Sequence, residues 1–160
     1  PYFEKHQALT KAAAALRTSF YWGGIAAGRM LVIFLPRRWS LWPLLLAGAI
    51  GMLATSVAIS FRPSPAVASV LVVLSGFMAG PVWPVIVSCS QHMRQSPKFT
   101  SCVIAGGGLG GALGPWLFSY EIRTLGWRWF FPILAVACVG QLIMIALAFG
   151  RAKREAKVAE

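Results

Sequence analysis

Long apolar runs alternate with short polar ones along the whole chain. Five of the runs, at about 17–36, 41–60, 66–90, 102–120 and 129–149, reach the roughly 20 mostly apolar residues that a membrane-crossing helix needs. The connectors between them are short and rich in turn formers and charge: "PRRWS", "FRPSP", "SQHMRQSPKFTS" and "EIRTLGWR". Links this tight force consecutive spans to run antiparallel. The pattern predicts an all-α integral membrane protein, a multi-pass helical bundle of five transmembrane helices forming a single transmembrane domain over residues 1–160. Its first partner is the lipid bilayer.

Composition sharpens this picture. The chain is 58% hydrophobic and 12% charged, against about 45–50% and 25% for a soluble domain. Asp is absent, and the acids are Glu4, Glu121, Glu155 and Glu160. The net charge is +11, but the basic residues cluster between apolar runs, as they do in membrane-protein loops, rather than along a nucleic-acid-binding stripe. No nucleic-acid partner is expected. Cys89, Cys102 and Cys138 lack metal-ligand spacing and lie in or beside apolar runs, which marks them as small packing residues. His6 and His92 fall outside the spans with no ligand partners near them in sequence. No metal, no cofactor and no enzymatic centre are expected, because neither a Ser-His-Asp set nor a carboxylate pair is present.

Orientation follows the positive residues. One set of ends holds Arg37, Arg38, Arg94, Lys98, Arg151, Lys153, Arg154 and Lys157; the other holds Lys5, Lys11, Arg17, Arg62, Arg123 and Arg128. The bias places the C-terminus in the cytoplasm of a cell-membrane protein, with Trp39, Trp42, Trp127 and Trp129 near the water interfaces. The sequence opens at Pro1 without Met. An odd number of spans with the first end outside is what a fragment lacking a preceding span would show.

The stretch "AGGGLGGALGPW" spells G-x-G-x-x-G at Gly106, Gly108 and Gly111. A dinucleotide loop needs a strand before it and an acid about twenty residues on. Here an apolar helix runs through the motif, and Glu121 follows Gly111 too closely, at the expected outer membrane surface. Helical spacing describes the glycines better: Gly106, Gly110 and Gly114 form one row, and Gly107 with Gly111 its neighbour. Such small-xxx-small rows let helix backbones approach closely. Pro81 and Pro84 interrupt the third run and predict a kink, which either shapes packing or acts as a hinge.

Several of these segments resemble the C-terminal half of a major facilitator superfamily transporter, of the sugar-permease-like kind, without that half's first helix. "SFYWGGIAAGR" at 19–29 resembles the half's second helix, and "PRRWS" its short basic loop. "SGFMAGPVWPV" at 75–85 resembles the fourth helix, and "GGGLGGALGPW" with "WRWFFPILA" the fifth and sixth. The chain departs from the family's acidic loop pattern, since no Asp follows Gly28. The resemblance implies transport of a small polar solute, a sugar or an organic acid, by alternating access between two halves. An N-terminal half would be the partner. It also implies that the runs at 17–36, 66–90 and 102–120 line a central cavity, while 41–60 and 129–149 support them from outside.

Within that frame Arg29, Tyr21, Trp22, Trp83 and Trp116 are the candidate substrate-binding residues. An Arg inside a span costs about 2.5–3.5 kcal/mol on insertion scales, so Arg29 either faces a cavity or snorkels to the interface. The aromatics either stack on a solute or pack as a girdle. Ser19, Ser75 and Ser88 either add hydroxyl contacts or bond helix carbonyls. Proton coupling would need an acid from elsewhere, because the spans contain none. The alternative function is a non-transporting membrane subunit or scaffold that associates through its small-residue helix faces.

Overall fold

A computed structural model describes residues 10–34, 40–94 and 97–158. Among these the chain is all-helical, in six helices: α1 (Lys11–Phe34), α2 (Leu41–Ser60), α3 (Pro65–Ala79), α4 (Val82–Arg94), α5 (Pro97–Thr124) and α6 (Trp127–Val158). Expectations resting on Lys5, His6, Arg37, Arg38 and Trp39 lie outside the described residues.

Several helix ends have a local reason. Thr10 caps α1, its Oγ1 accepting from the Ala13 N–H at 3.3 Å. Pro65 begins α3, where its missing donor costs nothing. After α2 the chain turns through Arg62 in the left-handed region (φ 54°), and Pro63 prevents the helix from resuming. Gly126 (φ 80°) makes the same turn between α5 and α6, where a residue without Cβ is unstrained. Helical hydroxyls mostly bond their own backbone: Thr18 to the Ala14 carbonyl, Ser19 to Ala15 and Thr55 to Gly51. Ser19 is thereby occupied by its own helix.

Among the described residues four helical stretches are long and apolar enough to cross a membrane: Leu41–Ser60, Pro65–Ser90, Pro97–Thr124 and Trp127–Arg151. The count is four rather than the expected five, and the first segment is the one that does not qualify over its described residues. Residues 17–34 do lie in a helix, α1, of 24 residues, but Arg17, Arg29 and the polar and glycine positions around "SFYWGG" dilute the apolar character of this described part, and the last two residues of the run lie outside the described residues. The third segment is one apolar stretch made of two helices, α3 and α4, separated at Gly80–Pro81. The last two helices continue past the expected span ends, α5 to Thr124 and α6 to Val158. Glu121 therefore lies inside α5, in its final turn, with Oε2 buried and no hydrogen-bond partner among the described residues.

The helix α2 is the hub. It packs against α6, α3 and α4, while α1 packs on α3 and α5 leans on α4 and, more lightly, on α6. Leu45, Ala49, Thr55, Ser56 and Ile59 are all buried on α2. Leu45 closes a core with Val82, Val85 and Cys89 of α4, flanked by Trp42, Ile86 and Ile145. Ser56 lies beside the Cys138 thiol of α6. Trp42 meets Phe149 edge-on at 5.3 Å, so α2 and α6 run antiparallel. The α5 helix, by contrast, buries no residue at all.

Burial separates the three thiols. Cys89 and Cys138 are buried and Cys102 is exposed. In the native 160-residue chain a membrane-permeant maleimide is expected to label Cys102 alone, and all three thiols after denaturation. Native labelling of Cys89 as fast as Cys102 would contradict the packing of α4 on α2.

Candidate functional site

The tightest helix contact in the chain is the parallel pair α1–α3. Gly24 and Gly28 stand one turn apart on α1, and Gly76 and Gly80 one turn apart on α3. Each of the four meets backbone where a side chain would begin. A Cβ at Gly24 would strike the Val73 carbonyl oxygen, one at Gly28 the Phe77 carbonyl oxygen, and one at Gly76 the Tyr21 carbonyl oxygen; at Gly80 it would lie 2.5 Å from the Ile25 carbonyl oxygen. The seam continues below through Ala14 and Ala68 with Val72. At its foot the Arg17 Nη1 donates to the Pro65 carbonyl at 3.0 Å. Two facing G-x-x-x-G rows bring backbones together in this way because nothing projects between them.

The seam coincides with the break in the third span. Pro81 has no N–H to give the Phe77 carbonyl, and Pro84 has none for the Gly80 carbonyl. Two carbonyls one turn apart thus lose their helical donors. Phe77 turns its oxygen toward the Cα of Gly28, a geometry that admits a weak C–H···O contact. The two prolines make one break rather than two, since Pro84 falls in the first turn of α4, where a donor is dispensable. Gly48 and Gly51 of α2 close the other side, with a Cβ at Gly48 lying 2.8 Å from Val82 Cγ2 and 2.9 Å from the Met78 carbonyl oxygen.

Arg29 is carried to this break. Its backbone N lies 3.0 Å from where a Cβ would stand on Gly80, and its side chain is exposed. No acid occurs on α1 to α4. Tyr21 is half-buried, lies against Gly76 and meets Trp22 edge-on at 5.8 Å. Trp22 itself is 65% exposed. Trp83, just past the break, lays its ring on Gly107 of α5. Trp116 stacks on Tyr120 at 6.4 Å, about two and a half turns, or roughly 13 Å, along α5 from Gly107. The structure therefore places Arg29, Pro81 and Pro84 at one break, with Trp83 at its edge, sets Tyr21 about one turn away against Gly76, and leaves Trp22 and Trp116 outward on their helices.

The conspicuous glycines of α5 are not the ones packed within the chain. A side chain added at Gly106, Gly108, Gly110, Gly111 or Gly114 would meet nothing within 4 Å, and Gly107 meets only Trp83. The α5 helix touches its neighbours through side chains instead: Thr100 near Ser90 (3.4 Å) and Phe118 edge-on to Phe130 (5.3 Å). The seam glycines Gly24, Gly28, Gly76 and Gly80 were findable in sequence as two i, i+4 pairs, each within one of the quoted segments. Among the described residues no group of His, Cys, Asp and Glu is arranged to hold a metal ion.

Compared with protein-family models, curated proteins and solved structures, the chain finds no match.

Proposed function

We propose that the chain is the C-terminal half, without its first helix, of a facilitator-type secondary transporter. In this reading α1 is a fifth membrane helix, tolerated by the bilayer because α3 covers one face and Arg29 opens toward a polar path. The cargo is a small polar solute, a sugar or an organic acid. The observation that carries the reading is a membrane-length helix broken at Gly80–Pro81 directly beside Arg29. Broken helices expose backbone groups at membrane depth, which is tolerated only where protein or a water-filled cavity covers them, and transporters place their solute sites there. The freed Gly80 carbonyl offers an acceptor, Arg29 offers donors, and Tyr21 and Trp22 offer ring faces. The N-terminal half is the partner this reading requires, and the open glycine rows of α5 are a face that a further helix can approach closely. The cell membrane is the location, with the C-terminal end of α6 in the cytoplasm. Any coupling acid comes from the other half, or transport is uncoupled.

The second reading is a non-transporting membrane subunit or scaffold. The uncovered glycine rows of α5 favour it as much as they favour a second half. Reconstitution of the full-length gene product in liposomes separates the two. Saturable uptake of at least one member of a sugar and organic-acid panel is expected; no uptake of any member would favour the scaffold.

A further inference from the structure

No Asp or Glu occurs anywhere between residues 5 and 120, a stretch that holds nine of the 15 Lys and Arg residues. Arg29 stands out among these cations by its depth. Its backbone N lies 3.0 Å from where a Cβ would stand on Gly80. Gly80 is at least ten residues inside either end of the apolar stretch Pro65–Ser90, which is about 15 Å of helix. The Arg29 side chain is exposed, and the acid-free stretch gives it no carboxylate to pair with. A cation at such depth faces a polar path and takes an anion as partner. The second polar group at this place is the Gly80 carbonyl, whose helical donor is missing because Pro84 has no N–H. Arg29 and Gly80 therefore set a fork of donors beside a single free acceptor, with no negative charge between them.

We propose that the cargo is a small hydroxy acid, its carboxylate held by the Arg29 guanidinium and its hydroxyl donating to the Gly80 carbonyl. The inference rests on the transporter reading and narrows its solute class. The planar guanidinium fork matches a carboxylate with two parallel hydrogen bonds. Each simpler solute leaves one group unmet. A neutral sugar leaves the Arg29 charge without an anion. A plain carboxylate leaves the Gly80 carbonyl without a donor. An amino acid supplies a donor, but its ammonium adds a second positive charge where the chain has no acid to balance it. A hydroxyl is the neutral donor that satisfies the carbonyl without that cost.

The test uses the full-length gene product in liposomes, with protein-free liposomes subtracted, and solutes matched in size. Lactate, propionate, propane-1,2-diol and alanine form one set, and gluconate with glucose forms a second. Initial rates give kcat/KM for each. In at least one set the hydroxy acid is expected to exceed every other member by roughly tenfold or more, because a site with polar groups to satisfy rejects the analogue that lacks a partner for one of them. In Arg29→Gln the ratio of acid to neutral solute is expected to fall by about 10- to 100-fold, and in Arg29→Lys by less. Glucose or propane-1,2-diol carried as well as its acid would overturn the assignment and leave the transporter reading standing; Arg29 would then be paired by an acid of the other half. Preference for alanine or propionate, or an unchanged ratio in Arg29→Gln, would overturn it in the same way. No protein-dependent uptake of any solute would remove both readings together.

Discussion

Replacing Gly28 with alanine is expected to destabilise the chain, while the same change at Gly23 stabilises it. Both glycines lie inside α1, five residues apart, and both substitutions gain about 1 kcal/mol of helix propensity. Their surroundings set the sign. An added Cβ at Gly23 meets nothing within 4 Å, whereas at Gly28 it meets the Phe77 carbonyl oxygen and lies 3.1 Å from Pro81 Cδ. Overpacking costs about 1–3 kcal/mol where side chains can adjust. Here the obstacle is backbone on a neighbouring helix, so α1 must separate from α3. Gly28→Leu should cost roughly 3 kcal/mol or more, lowering the unfolding temperature by about 10 °C in a chain of this size. Thermal unfolding in detergent, followed by circular dichroism, reads the effect. Gly110→Leu provides the contrast: no atom stands near Gly110, so the isolated chain should keep its stability. Under the transporter reading the same variant loses association with the other half and, with it, uptake. A Gly28→Ala chain as stable as Gly23→Ala would remove the seam from the account.

The second large effect is expected at Arg29 and concerns activity rather than stability. Its guanidinium is exposed while its backbone is fixed beside Gly80, so Arg29→Gln should unfold at the native temperature. Uptake should fall by about 10- to 100-fold, the loss expected when a hydrogen bond to a charged group worth roughly 1.5–3 kcal/mol is removed. Arg29→Lys keeps the charge but not the planar fork. It should recover part of the rate for an organic acid and little for a sugar, which makes the pair of variants a report on the class of solute. Undiminished uptake by Arg29→Gln would return Arg29 to the membrane interface as a snorkelling residue.

Helices with few charges and tight connectors were legible because a bilayer leaves the backbone few alternatives. Periodic spacing found the right device, close-packed glycine rows, but the rows that meet a neighbouring helix among the described residues are those of α1 and α3 rather than those of α5. The glycines of α5 attract notice by density, yet six of them in nine residues leave that helix little side chain to bury. Gly24, Gly28, Gly76 and Gly80 are sparser, and their importance appears only when two segments about fifty residues apart lie parallel, which no local pattern encodes. The break at Gly80–Pro81 followed directly from proline chemistry. That α1 is less apolar than its neighbours was also on view in Arg17 and Arg29, but length alone outweighed it. The ends of α5 and α6 overran their expected limits because helical hydrogen bonding does not stop where hydropathy does. Which candidates share one site depended on tertiary placement: Arg29 meets the break and Tyr21 lies about a turn from it against Gly76, whereas Trp116 stacks on its own helix.

Counterflow tests the central claim most directly. Liposomes holding the full-length gene product are loaded with unlabelled solute, and entry of the labelled solute is followed over time. Alternating access predicts a transient overshoot above the equilibrium level, present in native protein and suppressed in Arg29→Gln. Entry that rises to equilibrium without overshoot, or that is the same with empty and loaded liposomes, would contradict a carrier built around the broken helix.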